Sequence, residues 1–591
     1  MNRFTPGLRS LTGLAAAAVL AIALPTFAQG LPVVPGEAVA GTAKAAVPSY
    51  LLTTEEEMPA RRLRLTAPAA REFGALEAAG SQTKRYNVGF GRDVAEHAEE
   101  GTGVAIAWSR VGEVRIAKLR VQSPGAAALR VGLRIGATRQ PWEIRVSGSA
   151  DEPKAIGPMR QAGPLGQADI HWTPVTEGDA QVIELVSPAS QPEPSVEIAT
   201  ISHLVAGPST RFRKTTTEIG HAGTCNIDVK CVSNPSQALL DAASSAVQML
   251  FTPQSGVSGL CTGTLLNDTA AGTQIPYLYS ADHCFEPQTA PYNTTAQAQQ
   301  IANSLNTFFF FDAVSCGSQL TPPYVQRFGG ATYLYHNLAE DVLFLRLNDW
   351  APAGAFLSGW DANPIASGNA LTVLHHPEGD LKKFSTGTTG APFTLPSPNN
   401  APTGFTRATY NQGTTEGGSS GAGLLTFANG QYLLRGGLWG GEASCTALTS
   451  PDYYSRFDIA YPILKQWLEA TNLPDYDTTD LWWNPLENGW GINLTQHPNG
   501  QVFAVWYTYA ADTGPLWLVM SGGQWTTSRT FTGDFYRTSG PSYDKLPFNA
   551  NAVNRTKVGT ITFNFMDASN GSFTWVVDGV QGTKAITRQG F

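Results

Sequence analysis

The residues Glu416-Gly417-Gly418-Ser419-Ser420-Gly421-Ala422 enclose a pair of serines between glycines. Glycine adopts backbone conformations closed to other residues, so this stretch can turn sharply and aim neighbouring N–H groups at one point. We predict that the backbone amides of Gly418 and Ser420 form an oxyanion hole, which stabilises the charge of a tetrahedral intermediate. The same stretch predicts Ser420 as a nucleophile. Taken alone, a serine among glycines is most often an ordinary turn.

Two earlier motifs supply the groups that a serine nucleophile requires. Ser280-Ala281-Asp282-His283-Cys284 contains a histidine, and Glu340-Asp341-Val342-Leu343-Phe344-Leu345 places an acid at the start of an apolar strand. A serine hydroxyl reacts only when a base takes its proton, and imidazole does this near neutral pH. A buried carboxylate holds the imidazole in the correct tautomer. We therefore predict His283 as general base and Asp341 as the group that orients it.

The order of these groups along the chain indicates the fold. His, then Asp, then Ser is the chymotrypsin-like order, and other serine hydrolase folds carry the groups in other orders. Their spacing suits two consecutive β-barrels, and the frequent Gly (60) and Pro (39) residues favour turns and strands. The sequence therefore predicts an all-β protein with a two-barrel chymotrypsin-like protease domain.

The first residues are typical of a signal peptide. Arg3 and Arg9 precede a short apolar run over 14–24, and small residues end at Ala28. The run is shorter than the roughly 20 residues of a membrane span. We predict cleavage after Ala28, secretion and no membrane span.

The six cysteines all lie between Cys225 and Cys445. An even number in an exported chain predicts disulfides, and six cysteines allow 15 pairings. Because no Cys-x-x-Cys pair occurs, a zinc site is not predicted.

Composition changes divide the chain into four segments. We predict a signal peptide over 1–28, a β-rich propeptide over 29–218, a trypsin-like serine protease domain over 219–472, and a small β-rich module over 477–591. The basic stretch Arg211-Phe212-Arg213-Lys214 is a candidate processing site. Alternating or β-branched residues predict strands over 104–108, 114–121, 180–185, 501–509, 516–522, 558–566 and 572–580.

The charge of the chain and the absence of metal-ligand patterns argue against a nucleic-acid-binding protein and against a metalloprotein. The net charge is −8, with 39 basic and 47 acidic residues, and phosphate backbones require a basic surface, so a nucleic-acid partner is not expected. No acidic loop has regular ligand spacing, so we predict neither a metal nor a cofactor. His375 and His376 are adjacent and would face opposite sides of a strand, which favours a structural role.

The middle segment resembles the bacterial lysyl endopeptidases, within the trypsin/chymotrypsin class of serine proteases. The resemblance covers about 250 residues and rests on these stretches: Cys225-Asn226-Ile227-Asp228-Val229, Cys261-Thr262-Gly263-Thr264-Leu265, Ala281 to Cys284, His375-His376-Pro377, Gly418 to Gly421, and Gly440-Gly441 before Cys445. It implies the same catalytic roles for His283, Asp341 and Ser420. It also implies three disulfides, which are Cys225–Cys445, Cys231–Cys316 and Cys261–Cys284.

The residue before the nucleophile separates this chain from pancreatic-type zymogens. Those relatives carry an Asp there, which pairs with a newly cut N-terminus, whereas this chain has Ser419. The front segment is therefore interpreted, as the resemblance also implies, as an intramolecular chaperone and inhibitor that is removed by cutting.

A pocket for a basic side chain needs a carboxylate, because an unpaired buried cation is costly. Common trypsins place this acid six residues before the nucleophile, where this chain has Thr414. The resemblance implies a later acid, and we predict Asp452 as the pocket floor, with Glu442 and Glu416 as alternatives.

Three further residues are predicted to bind substrate. Trp439 stands where the family has a His, Gly440 follows it, and Tyr410 is the nearest candidate for a Trp of the family. These departures leave Lys, Arg or both open as the preferred residue, since a guanidinium is a wide planar fork and an ammonium a compact charge.

The last segment opens with Leu481-Trp482-Trp483-Asn484-Pro485 and resembles small tryptophan-rich modules of exported bacterial enzymes. Its aromatic residues predict either a β-core or a surface that contacts glycans or cells. The whole sequence predicts a secreted serine endopeptidase that cleaves protein and peptide substrates after basic residues, Lys preferred. The alternatives are an Arg-specific or mixed protease and a non-catalytic adhesin.

Overall fold

The computed structural model describes residues 30–40, 49–77, 84–99, 106–136, 142–161, 170–208, 222–270, 273–286, 291–318, 320, 323–394, 404–469, 474, 477–497, 500–545, 548–567 and 569–589. The predicted signal peptide and its cleavage site, the Arg211–Lys214 site and the boundary near residue 218 lie outside these ranges.

The described part of the front segment contains fifteen strands and two helices. The strands are β1 Val33–Val34, β2 Glu37–Ala38, β3 Ser49–Tyr50, β4 Arg61–Arg64, β5 Tyr86–Asn87, β6 Gly89–Asp93, β7 Ser109–Val111, β8 Val114–Gln122, β9 Ala128–Ile135, β10 Trp142–Gly148, β11 Lys154–Gln161, β12 Ile170–Trp172, β13 Thr176–Glu177, β14 Ala180–Pro188 and β15 Val196–Leu204, and the helices are α1 Ala70–Glu77 and α2 Val94–His97.

In the described part of the middle segment, strands again outnumber helices. Its strands are β16 Ile227–Asp228, β17 Ala246–Phe251, β18 Gly259–Leu266, β19 Tyr277–Ser280, β20 Asn306–Phe309, β21 Val325–Arg327, β22 Ala331–Asn337, β23 Val342–Leu347, β24 Phe356–Leu357, β25 Gly359–Asp361, β26 Ala370–His375, β27 Lys383–Thr394, β28 Gly404–Gln412, β29 Gly423–Ala428, β30 Gln431–Gly441 and β31 Asp452–Tyr454, and its helices are α3 Gln237–Ser245, α4 Thr295–Asn303 and α5 Phe457–Leu468.

The last segment consists of nine strands in its described residues. They are β32 Asp480–Trp483, β33 Gly491–Gln496, β34 Val502–Tyr509, β35 Pro515–Ser521, β36 Gln524–Thr527, β37 Thr530–Ser539, β38 Asn554–Phe565, β39 Asn570–Val577 and β40 Val580–Arg588.

Two sheets of the front segment pack face to face. One has the order β3-β11-β10-β14-β8-β4 with β7 beside β8, and the other has the order β12-β9-β15-β6 with β13 beside β9. Alternate residues of β8 and β9, such as Leu119, Val121, Val131 and Leu133, enter one apolar core. Burial of these aliphatic side chains stabilises the unit by roughly 1.5–3 kcal/mol for each fully buried residue.

The middle segment builds the two-barrel protease architecture from two larger sheets. The first sheet has the order β21-β20-β17-β18-β19-β23-β22, and the second has the order β25-β30-β29-β26-β27-β28-β31 with β16 on β27. Helices α3 and α5 contribute buried residues to the core that joins the sheets. The predicted all-β class and two-barrel protease domain are confirmed.

Three short strands of the front segment pair with strands of the middle segment, two of them in its large sheets and one in a separate two-stranded sheet. Strand β1 pairs with β25, β2 pairs with β24, and β5 pairs antiparallel with β18. The front segment therefore crosses the protease sheets at several edges. This arrangement was not predicted from the sequence.

The last segment closes into a barrel, because β35 pairs with β37 in addition to β34. Trp482, Trp506 and several phenylalanines fill its core, and Trp490, Trp525 and Trp575 pack against that core half-buried. Most of the tryptophans are thus structural. Trp517 is 55% exposed on the outside.

Six of the seven predicted strands match observed strands within a few residues. The exception is 104–108, because residues 106–108 are not in a strand and 104–105 lie outside the described residues. The prediction over 572–580 also joined two strands, which a turn at Asp578–Gly579 with positive φ at both residues separates.

The six cysteines form the disulfides Cys225–Cys445, Cys231–Cys316 and Cys261–Cys284. These are the pairs that the resemblance implied, and each such loop closure typically stabilises a fold by about 2–4 kcal/mol. Among the described residues, no helix combines the length and hydropathy needed to cross a membrane.

Candidate active site

His283 and Asp341 meet because their flanking strands are neighbours. Strand β19 ends at Ser280 just before the histidine, β23 begins at Val342 just after the acid, and the two strands pair through Ser280 and Leu343. The Cys261–Cys284 disulfide ties the residue after His283 to β18. Asp341 has φ +54°, an uncommon conformation that directs its carboxylate to the histidine loop.

Ser420 lies in the loop that precedes β29 of the second sheet, yet β18 of the first sheet holds this loop. The Thr262 N–H donates to Ser420 O at 2.8 Å, and the Thr262 hydroxyl donates to Gly418 O at 2.9 Å. At Gly421, with φ +82°, a Cβ would lie 2.1 Å from Ser280 Oγ. The glycine permits this close approach, so the site forms at the seam of the two sheets.

The three side chains form one hydrogen-bonded line. His283 Nδ1 lies 2.9 Å from Asp341 Oδ2 and 3.0 Å from Oδ1, and His283 Nε2 lies 2.6 Å from Ser420 Oγ. Because a carboxylate only accepts hydrogen bonds, Nδ1 carries the proton and Nε2 is left to accept from the serine hydroxyl. The backbone N–H of His283 also donates to Asp341, at 2.9 Å. All three residues are buried.

The amides of Gly418 and Ser420 point at one oxygen, which belongs to Lys84 of the front segment. Gly418 N lies 2.6 Å and Ser420 N 3.2 Å from Lys84 O. Gly418 has φ +88°, and a Cβ there would lie 2.6 Å from His376 O. Glycine is required at this position for both reasons.

The side chain of Lys84 ends at the carboxylate of Asp452. Lys84 Nζ lies 2.8 Å from both carboxylate oxygens, and it also donates to Thr415 Oγ1 at 2.7 Å, Thr415 O at 2.9 Å and Ala443 O at 3.0 Å. Asp452 is fully buried. Burial lowers the pKa of the Lys84 ammonium, and the charge of Asp452 raises it in part. The pocket thus pairs one buried cation with one buried carboxylate.

The other residues predicted to bind substrate lie behind or beside this pocket. The Tyr410 hydroxyl donates to Asp452 Oδ2 at 3.1 Å and lies 2.6 Å from the Tyr454 hydroxyl, so it contacts the carboxylate. Trp439 packs against the rings of Phe405 and Tyr453. Gly440 pairs with Tyr453 between β30 and β31.

Glu416 and Glu442, the alternatives to Asp452 as the acid of the pocket, do not contact Lys84 Nζ through a hydrogen bond. Glu416 accepts from Gly223 N at 2.8 Å and from Asn226 Nδ2 at 2.9 Å. Burial raises the pKa of Glu416, and these two donors lower it in part. Glu442 is exposed, whereas its neighbour Ala443 contributes a backbone carbonyl to the pocket.

Ser419 is held by a buried histidine. Its Oγ lies 2.8 Å from His375 Nδ1 and accepts from Glu416 N at 3.1 Å. His375 Nε2 lies 3.1 Å from Ser385 Oγ, and His376 Nδ1 lies 3.0 Å from Asp380 O. Burial holds the pKa of both histidines well below the usual value, so both rings are neutral supports of the loop.

A second polar cluster adjoins the site. Asp282, Glu286 and His336 bring ligand atoms within 4.8 Å of one another. His336 Nδ1 lies 3.0 Å from Asp282 Oδ1, and this hydrogen bond raises the pKa of His336. Burial raises the pKa of Asp282 to about 6, and His336 lowers it in part. Side chains of these types bind cations, and among the described residues Asp282 Oδ2 and Glu286 Oε1 have no hydrogen-bond partner.

Sequence reasoning missed three groups of the pocket: Lys84, Thr415 and the Ala443 carbonyl. Thr415 follows Thr414, where common trypsins carry their acid, so its position was a usable signal. Lys84 lies 368 residues before Asp452, and no spacing rule joins them. The only sequence signal was the dibasic pair Lys84-Arg85 in the segment predicted to inhibit an enzyme that cuts after basic residues.

Comparison with known proteins shows the family. A family model of the lysyl endopeptidase C-terminal domain matches residues 219–455, and one of the lysyl endopeptidase N-terminal domain matches residues 64–205. A lysyl endopeptidase of Pseudomonas aeruginosa is 33% identical over 424 residues, which cover 68% of this chain and 84% of the relative.

Two crystal structures of a protease from M. tuberculosis also match. The active form is 16% identical, with 40% of this chain and 89% of the other covered and a TM-score of 0.26. The inactive form is 16% identical, with 39% and 97% covered and a TM-score of 0.25. The family models and the Pseudomonas relative carry the assignment. By these matches, the chain belongs to the lysyl endopeptidase family and is a serine endopeptidase.

Proposed function

We propose that the chain is the precursor of a secreted endopeptidase that cleaves peptide bonds after lysine. Ser420 is the nucleophile, His283 the general base and Asp341 the group that orients the base. The amides of Gly418 and Ser420 form the oxyanion hole, and Asp452 binds the substrate ammonium.

One observation supports the proposed preference for lysine before the scissile bond. A lysine of the chain itself has its side chain on Asp452 and its carbonyl oxygen between the two amides beside Ser420. This is the arrangement that a lysyl substrate requires at the moment of attack. Asp452 is therefore favoured over Glu416 and Glu442 as the residue that recognises the substrate.

The reaction follows from the atoms that meet at the site. His283 Nε2 takes the proton of Ser420 as its Oγ attacks the substrate carbonyl carbon, and the two amides stabilise the resulting oxyanion. The imidazolium then protonates the leaving amine, and the acyl-enzyme remains. A water molecule, deprotonated by His283, hydrolyses the acyl-enzyme and restores Ser420. Asp341 stabilises the imidazolium during both acylation and deacylation.

The depth of the pocket favours lysine over arginine. The ammonium of Lys84 already touches the carboxylate and three other oxygens. An arginine side chain places its terminal nitrogens one bond farther from Cα, in a wide planar group. The guanidinium would collide with Asp452 or have to withdraw, so we expect weak cleavage after arginine.

The precursor's other segments have separate proposed roles. Residues 1–28 direct export, and residues 29–218 act as an intramolecular chaperone and inhibitor. The disulfides and the family support an exported protein. The inhibitor role is supported by the propeptide lysine in the substrate pocket.

For the C-terminal module, residues 477–591, we keep the proposal of contact with glycans at a cell surface. Tyr507 and Trp517 pair directly across β34 and β35, and both are at least 40% exposed. Flat exposed rings stack on sugar rings. We expect the Trp517→Ala, Tyr507→Ala variant to lose retention on insoluble polysaccharide and to keep its peptidase activity. Equal retention of the variant and the parent would contradict the proposal.

The decisive experiment uses the purified secreted form with two peptides that differ only in Lys or Arg before the scissile bond. We expect kcat/KM to be at least 100-fold higher for the lysyl peptide. An organophosphonate should label Ser420 and fail to label Ser420→Ala. Comparable rates on both peptides would favour the mixed-specificity alternative. A folded protein that is neither labelled nor active would favour the adhesin.

A further inference from the structure

The front segment lies in the cleft as an extended substrate strand. Lys84 places its side chain in the pocket and its carbonyl oxygen on Gly418 and Ser420. The chain then continues as β5, whose Tyr86 and Asn87 pair antiparallel with Leu260 and Gly259 of β18. The hydrogen-bonded strand therefore begins two residues after the lysine, on the side where the leaving half of a substrate would lie.

We propose that the Lys84–Arg85 peptide bond is an autocatalytic cleavage site, and that the precursor cuts this bond in cis while the propeptide stays bound. This inference rests on the function proposed above. It goes further, because it names a bond inside the propeptide, far from the basic stretch Arg211–Lys214 that the sequence suggested for processing.

The groups needed for the cut are already in position. Ser420 Oγ lies 2.6 Å from His283 Nε2, next to the amides that hold the Lys84 carbonyl. The Ser420 Oγ–Lys84 C bond forms and the Lys84 C–Arg85 N bond breaks, while the serine proton passes through His283 to the Arg85 nitrogen. One water then hydrolyses the ester, which leaves a carboxylate on Lys84 and an amine on Arg85.

The residue on the leaving side is also fixed. Arg85 packs its guanidinium over the ring of Phe251 at 5.2 Å, and its burial lowers its pKa to about 10. Val88 N donates to Ser258 O at 2.9 Å. A leaving segment that is anchored beyond the scissile bond does not diffuse away after acylation. The new Arg85 amine therefore stays close to the acyl-enzyme.

Both ends produced by the cut belong to one folded unit. Arg92 of β6, after the bond, donates to Glu72 of α1 at 3.0 Å and to Thr66 O at 2.7 Å, both before the bond. Strand β6 pairs with β15, and β4 pairs with β8. Cutting between these anchors leaves the propeptide fold intact. The nicked propeptide therefore remains in the cleft and continues to inhibit.

The test compares five full-length precursors: the parent, Ser420→Ala, Lys84→Gln, Lys84→Arg and the matched control Lys154→Gln, whose exposed lysine lies on β11. Denaturing electrophoresis, intact mass and N-terminal sequencing follow each precursor over time. We expect the parent and Lys154→Gln to yield a new N-terminus at Arg85, at a rate unchanged over a 100-fold dilution. Ser420→Ala and Lys84→Gln should yield none. Lys84→Arg should be cut at least 10-fold more slowly than the parent.

A second measurement tests whether Lys84 fills the pocket. A phosphonate with a lysyl side chain should label Ser420 of the Lys84→Gln precursor at least 10-fold faster than that of Lys154→Gln. Equal labelling rates would overturn the proposal, as would a parent that never yields the Arg85 terminus or yields it only in proportion to protein concentration. If the purified secreted form hydrolyses a lysyl peptide in these cases, the proposed function stands and only this inference fails. A purified secreted form that hydrolyses no lysyl peptide would refute the function itself.

Discussion

In the proposed function, recognition of the substrate cation depends on a single carboxylate, that of Asp452. Both of its oxygens contact Lys84 Nζ at 2.8 Å, and Ala443 N, the Tyr410 hydroxyl and the Thr415 hydroxyl also donate to them. A fully buried carboxylate with this many donors is held rigidly. Its charge is matched only when a cation enters the pocket.

Removing that charge should abolish recognition of lysine. We expect Asp452→Asn to lower kcat/KM for lysyl peptides by about 1000-fold, because breaking one partner of a buried ion pair costs about 3–5 kcal/mol. Steady-state kinetics of the mature enzyme measures this. Glu442→Gln is the control, since Glu442 is exposed and should have no effect. Equal losses in both variants would contradict the assignment of Asp452.

A side chain at Gly418 should disrupt the proposed oxyanion hole. We expect Gly418→Ala to lower kcat about 100–1000-fold with little change in KM, because the added Cβ displaces an amide of the oxyanion hole. Gly430→Ala is a matched control, since Gly430 has φ +81° with no atom within 4 Å of the new Cβ. It should lose only stability. Loss of activity in both variants would show that backbone strain alone is responsible.

Among the elements, strand β18 organises the site most directly. Its Cys261 forms a disulfide beside His283, its Thr262 holds the nucleophile loop, and its residues Gly259 and Leu260 pair with β5 of the front segment. A shift of this strand would displace the base, the nucleophile and the bound chain together.

The disulfide on β18 should therefore affect activity as well as stability. We expect Cys261→Ala, Cys284→Ala to lose about 2–4 kcal/mol of stability and also to lower kcat, because His283 adjoins Cys284. The variant Cys231→Ala, Cys316→Ala should be destabilised without a change in kcat. Chemical denaturation and kinetics measure the two effects. Unchanged kcat in the first variant would show that the strands alone position His283.

The sequence predicted those elements whose signal is local. Alternation in β8, β14, β34 and β35 marks strands with one face in a core, and the three motifs lie where strands end at the seam. Tyr410 was placed at the pocket without its contact to the carboxylate, because that contact depends on β28 lying beside β31. Lys84 and the pairing of β5 with β18 depend on residues far apart in the chain, and no periodicity reports such contacts.

At the scale of the whole molecule, the proposed propeptide contains a buried neutral histidine. His203 stacks on Phe90 at 4.8 Å, and its Nδ1 lies 2.8 Å from Ser123 Oγ. Burial lowers its pKa to about 4, and the nearby Arg92 adds to this effect. Below pH 6.5 the unfolded propeptide gains a proton on this histidine that the folded propeptide resists.

The propeptide should therefore be less stable in acid. The contribution of His203 is complete above pH 6.5 and is lost as the pH falls through about 4, by about 3 kcal/mol in total. We expect the unfolding transition of residues 29–218 in the Ser420→Ala precursor to follow this trend. His203→Phe should reduce the slope but not remove it, because burial also lowers the pKa of His171 to about 4. Thermal unfolding between pH 8 and pH 4 measures the slope. His497→Gln, in the last barrel, should leave the slope unchanged. An unaltered slope in His203→Phe would exclude this origin.

The hydrogen bond between Ser419 and the neutral His375 has a consequence for how such a protease becomes active. The loop carrying Gly418 and Ser420 takes its shape from partners that exist before any processing, so no newborn terminus has to complete it. If residues 29–218 act as the proposed inhibitor, we expect that removal of this segment from the cleft is enough to activate the protease, without a rearrangement of the nucleophile loop.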